Sequence, residues 1–162
     1  MPFFVRKLAW QRWVPAFDSA VVPELLQSFL IDRKGVSLWE YDNPNNLGPV
    51  IANIAARFAT RSTVIHIAQV GELAIAQAHL RLLDKADWDA PVESLRASHR
   101  EIFVATAEEA NRFVAAVREA PRKDVSWAQA EAAIVDLFDS GELRRERCGS
   151  AAVGVLDRLR PA

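Results

Sequence analysis

The chain alternates short stretches of period-two polarity with longer stretches of period three to four. "FFVRKLAW" opens as a strand, with Phe3, Val5 and Lys7 facing one way and Phe4, Arg6 and Leu8 the other. "DSAVVPELLQSFLIDRKG" then shifts to helical spacing. Asp18 or Ser19 can cap, Pro23 suits the first turn, Val22, Leu25, Leu26 and Phe29 form the apolar face, and Gly35 is the stop. "VSLWEYD" alternates again and predicts a second strand. After the turn chemistry of "NPNNLG", Asn46 can cap a helix over about 47–59. Its apolar set is Leu47, Val50, Ile51, Ile54, Ala55 and Phe58. The β-branched "STVIHIAQV" predicts a third strand at 63–69.

Two later stretches fit more than one period. In "GELAIAQAHLRLLDKA", residues 71–86, Leu73, Ile75 and Gln77 alternate, whereas Leu73, Ala76, Leu80 and Leu83 repeat like a helix; helix is expected for the second part. From Asp89 onward Val92, Leu95, His99, Ile102, Phe103, Thr106, Ala110, Phe113, Val114 and Val117 are separated mainly by threes and fours. One helix over 91–119, ended before Pro121, accommodates all of them. The alternative is a strand at "REIFVA" followed by a shorter helix opened by a Thr106/Glu109 capping box. The unbroken rhythm, without Gly or Pro, favours the long helix and puts His99 in its apolar stripe. "SWAQAEAAIVDLFDSG" predicts a further helix, opened by a Ser126/Gln129 capping box and ended by Gly141, with Trp127, Ala130, Ile134, Leu137 and Phe138 on its face.

The expected architecture is therefore α/β or α+β: a strand-helix-strand-helix-strand layer followed by a mainly helical C-terminal half. A single domain over 1–162 is expected, with an α/β part at 1–70, a helical part at 88–140 and a docking arm or charged helical face at 142–162.

Composition narrows the chemistry. At 162 residues and 51% hydrophobic, the chain can bury a core. Its net charge of −1 provides no general attraction to nucleic acid or anionic membranes. Charge is unevenly spread: residues 84–109 carry a local −4, and residues 142–162, with five arginines, a local +2. The single cysteine, Cys148, forms no internal disulfide, and no stretch has the order of a signal peptide or the length of a membrane span; a cytoplasmic protein is expected.

Three histidines without a three- or four-residue spacing do not make a metal site, and the glycine motifs of phosphate loops and of the nucleophile elbow are missing. Asp84, Asp87 and Asp89 offer oxygen ligands but lack a calcium loop's closing glutamate, so they read as helix caps and a solvated turn. Neither metal nor cofactor is expected. "RSTVIH" places Arg61 and His66 with four residues between them. This spacing resembles the motif of the HEPN family of helical ribonucleases, in which such a pair faces the RNA backbone. The resemblance covers these six residues. The family carries the pair on a helix, whereas Thr63, Val64 and Ile65 favour a strand.

The function these features favour is a non-catalytic protein–protein interaction module, regulatory, antitoxin-like or immunity-like, that binds a protein partner or a second copy as a homodimer. Trp10, Trp13, Trp88, Arg144, Arg145 and Arg147 are its expected binding residues. The alternative is a small nuclease or nucleotide-acting enzyme using Arg61 and His66, with His99 as a further candidate.

Overall fold

A computed structural model describes residues 2–19, 21–33 and 35–162, the side chain of Trp10 excepted. In chain order the elements are β1 (Phe3–Leu8), α1 (Trp10–Phe17), α2 (Glu24–Asp32), β2 (Gly35–Tyr41), α3 (Gly48–Ala55), β3 (Val64–Gly71), α4 (Glu72–Gln77), β4 (Arg81–Asp84), a 3-10 turn (Glu93–Ser98), β5 (His99–Phe103), α5 (Ala107–Glu119), β6 (Arg122–Ser126), α6 (Trp127–Asp139), a second 3-10 turn (Arg145–Arg147) and α7 (Ser150–Leu159). The mixed α/β character, with early alternation of strands and helices and helices in the C-terminal half, is as the pattern predicts. The linear division at 70, 88 and 142 is not how the chain compacts. It forms two units, Met1–Asp42 with His66–Lys85 and His99–Lys123, and Asn43–Ile65 with Ala86–Ser98 and Asp124–Ala162.

The first unit holds most of the sheet, whose strand order is β4-β5-β2-β1-β3-β6. Neighbours run antiparallel, as in Phe4↔Glu40, Leu8↔His66, Leu38↔Arg100 and Leu82↔Ile102. Alternation along the strands places Phe4, Leu8, Val36, Leu38, Ala68, Val70 and Ile102 in the apolar core, together with Trp13, Leu26, Leu30, Phe113, Val114 and Val117 from the helices. Each large apolar side chain buried there contributes roughly 1.5–3 kcal/mol gross. Polar bonds set the helix positions: Gln27 Nε2 donates to Asn111 Oδ1 at 2.9 Å and Arg118 Nε to the Ala16 carbonyl at 2.5 Å.

Four local expectations are corrected here. The helix expected over 91–119 is instead a 3-10 turn, β5 and α5. Residues 99–103 find backbone partners on both sides, β2 and β4, and that double ladder outweighs helical spacing. Thr106 then caps α5, its Oγ1 accepting from Glu109 N at 3.2 Å while the Glu109 carboxylate accepts from Ala105 N at 2.7 Å. Residues 71–86 do hold both periods, but in the reverse order: α4 first, then a break at His79 with φ of 52°, then β4. Residues 10–17, of which the pattern put Trp10 in the first strand and gave 11–17 no element, form α1, which buries Trp13 and Ala16 three residues apart. In α2, Leu25 is 86% exposed, and the buried positions are Leu26 and Leu30; Ser19 accepts from Val21 N and does not cap the helix, whose N-cap is Pro23.

In the second unit α3 packs against α6, and α6 against α7. α3 is shorter than the predicted 47–59 and buries Val50, Ile51, Ala52, Ile54 and Ala55. The capping box of α6 is complete: Ser126 Oγ accepts from Gln129 N at 3.2 Å and Gln129 Oε1 from Ser126 N at 2.9 Å. Gly141, at φ of +79°, ends it in the left-handed conformation that glycine adopts without strain. The segment expected as a docking arm is a helix with its own buried side, Ala152, Val155 and Leu156. Among the described residues no helix is long and apolar enough to cross a membrane.

Candidate interaction surface around Trp88

The turn at 86–92 lies wholly in the second unit and is fixed at nearly every residue. Asp87 N donates to the Arg96 carbonyl at 2.9 Å, Ala90 N to the Asp87 carbonyl at 3.2 Å, and Asp87 Oδ1 accepts from Asp89 N at 3.1 Å. The other Asp87 oxygen pairs with Arg57. Arg147 donates from Nη1 to the Trp88 carbonyl. Ala90 and Val92 are fully buried, and Val92 N is held by Asn53 Oδ1 at 3.2 Å. On this rigid turn Trp88 is 68% exposed. Leaving so large an apolar ring in water forgoes burial energy, and a pinned backbone removes much of the entropy that a partner would otherwise have to overcome.

Charged groups surround the turn. Arg144 binds Glu93 through Nε at 2.8 Å and through Nη2, which lowers the Glu93 carboxyl and raises the guanidinium. The rest of the basic tail is also committed. Arg145 pairs with Asp157, Arg158 with Glu131 at 2.9 Å, and Arg160 with Asp139 at 2.7 Å. A nucleic-acid phosphate would have to displace these intramolecular partners, so the +2 of the tail is not freely offered. Of the expected binding residues, Arg144, Arg147 and Trp88 therefore converge on one surface. Arg145 belongs to a neighbouring pair.

Trp13 is corrected: it is fully buried against Phe113 and Phe17, at ring-centroid distances of 6.0 and 6.1 Å, and presents nothing to a partner. The backbone of Trp10 opens α1, and its side chain lies outside the described residues. The signal that could have separated Trp88 from Trp13 is its flanking Asp87 and Asp89, which form a turn, whereas Trp13 sits on a helical apolar face.

His99 is 6% exposed, on β5 and not on a helix stripe. Its ring lies 4.7 Å from that of Trp39, and its Nδ1 is 2.6 Å from the Lys85 carbonyl oxygen. A carbonyl only accepts, so Nδ1 carries the proton and the imidazole is oriented by backbone. Arg61 is exposed beside a recess of about 390 Å³ lined by Ser62, Thr63, Ser126, Trp127 and Ala128. His66 stands on β3, in register with Leu8. The two do not share a helix, which removes the helical setting that the HEPN resemblance implies. Among the described residues no group of three or more His, Cys, Asp or Glu is arranged to hold a metal ion. Asp84 pairs with Arg100 at 2.9 Å and Asp87 with Arg57. The Cys148 thiol is pushed up to about 11 by burial and by Glu146, and it donates to the Arg144 carbonyl at 3.4 Å. It is thus a poor nucleophile at neutral pH. Comparison of the chain with known protein families, curated proteins and solved structures gives no match.

Proposed function

We propose that this chain is a non-catalytic interaction module of the cytoplasm, regulatory in role, that docks a protein partner or a second copy of itself through Trp88. The observation that carries the reading is the pairing of a 68% exposed tryptophan with a turn held by Arg57, Arg147 and Asn53. Rigid aromatic anchors inside a polar rim are the usual energetic centres of protein interfaces. The opposite charges of Arg144 and Glu93, where the turn runs on into Glu93, would give such an interface orientation more than strength.

The test compares wild type with Trp88→Ala. Light scattering over a concentration series reads self-association, and affinity capture from the source cells reads a foreign partner. Trp88→Ala should keep its folding stability within about 0.5 kcal/mol, because the ring is mostly in water. Association should weaken at least about 30-fold, the cost of losing a central tryptophan. Association indifferent to Trp88 would refute the reading. RNA turnover by a purified monomer, lost on changing Arg61 or His66, would replace it with the nuclease alternative.

A further inference from the structure

The chain has a net charge of −1, yet four cations of the first unit are linked to one another through Arg33: Arg6 and Lys7 feel its charge, and Arg12 shares the Phe29 ring with it. Arg6 occupies the middle of β1, on the face that buries Phe4 and Leu8. Its Nη1 donates to the Ser37 carbonyl at 2.9 Å, while its Nε is shut off from water without a partner. Arg12 of α1 lies over the Phe29 ring with its Cζ 3.8 Å from the centroid. Arg33, directly after α2, lies over the same ring at 5.2 Å. Arg33 is also near enough to depress the basicity of both Arg6 and Lys7. The Arg6 guanidinium is pushed down to about 10, by burial first and by Arg33 second.

Among the described residues Arg6, Arg12 and Arg33 have no carboxylate partner, in contrast to the arginines of the C-terminal tail. Gathering like charges at a half-buried site costs free energy unless an anion supplies the missing charge. Guanidinium is the side chain best matched to an oxyanion, because its planar fork gives two parallel donors. Stacking on Phe29 holds two of the forks in place before any ligand arrives.

We propose that Arg6, Arg12 and Arg33 form an oxyanion site that takes the phosphate group of a small phosphorylated molecule. Phe29 serves as the platform for Arg12 and Arg33 and so is not open for a base to stack upon, which favours a compact phosphate over single-stranded nucleic acid. The site lies in the unit that does not carry Trp88 and stands independently of the interaction reading.

The experiment is a thermal melt of the full chain in sodium chloride, sodium phosphate or sodium pyrophosphate at matched ionic strength, for wild type and for Arg33→Gln, Arg12→Gln and Arg6→Met. At a phosphate or pyrophosphate concentration tenfold above its dissociation constant, wild type should gain about 3–6 °C over chloride. Arg33→Gln and Arg12→Gln, both at exposed positions, should remain folded by circular dichroism and lose most of the gain. A gain of equal size in wild type and both glutamine variants would be general salting-out and would overturn the proposal. So would the lack of any anion-specific gain, or binding of an RNA oligonucleotide without a response to phosphate or pyrophosphate. If Arg6→Met does not fold, the two exposed variants decide.

Discussion

Gly149 is where the second unit should be most sensitive to a single added methyl group. Its N–H donates to the Ala56 carbonyl at 2.6 Å, and two residues later Ala151 N donates to the Phe58 carbonyl at 3.2 Å. The start of α7 is thereby fastened to the short turn at Ala56 to Phe58 that follows α3. A Cβ built on Gly149 would stand 3.0 Å from the Phe58 carbonyl carbon and closer still to its oxygen, and these are backbone atoms with no rotamer to yield. The backbone at Gly149, with φ of −73° and ψ of 170°, suits alanine, so the penalty is steric and not conformational. Overpacking of this kind costs about 1–3 kcal/mol, and weakening one of the two bonds adds about 0.5–1.5 kcal/mol. Gly149→Ala should therefore destabilise by about 2–4 kcal/mol. Gly154 is the internal control: it lies inside α7 with nothing near its Cβ position, so Gly154→Ala should stabilise by about 0.5–1 kcal/mol. Urea unfolding followed by tryptophan fluorescence reads both, and Trp127, stacked on Phe58 at 6.2 Å, reports from beside the perturbation. A Gly149→Ala midpoint equal to wild type, or a Gly154→Ala loss matching it, would refute the reasoning.

Two further outcomes follow from single groups. Thr106→Ala should cost about 1 kcal/mol by urea unfolding, because Thr106 caps α5; in a helix running unbroken through that position the same change would instead be mildly stabilising. Cys148 should react with iodoacetamide at pH 8 roughly 100-fold more slowly than an unburied thiol, since raising its value from 9.0 to about 11 cuts the thiolate by that factor; a rate equal to that of the urea-unfolded chain would contradict it. The sign for stability is the same: the unfolded thiol ionises first, so this group lowers stability as pH rises from 9 towards 11.

Where pattern alone decided structure, it did so through local chemistry. The alternation in Phe3–Leu8 and Gly35–Tyr41 and the capping box at Ser126 and Gln129 were legible because each is set within a few residues. β5 was not, because Ile102 and Phe103 fit either period and the deciding force is a ladder with β2 and β4, whose every pair lies more than fifteen residues apart in the chain. α4 and β4 were exchanged for the same reason: the leucines at 80, 82 and 83 serve a helix as well as a strand until β5 is beside them. Of the candidate site, Trp88 and Arg147 were visible as residue types, but the bond that joins them spans 59 residues. The Arg6 cluster was half visible, since alternation already turned Arg6 towards the side of Phe4 and Leu8, but the approach of Arg33 depends on how α2 returns to β2.

The two compact units are interleaved along the chain, each assembled from three separate stretches. During synthesis the first cannot be finished until residue 123 has left the ribosome, and the second, begun at residue 43, must wait for the C-terminal helix. No contiguous truncation yields either one whole. Limited proteolysis at any of the crossing points should thus leave fragments that stay together or collapse together, and dissection of this protein has to proceed by substitution.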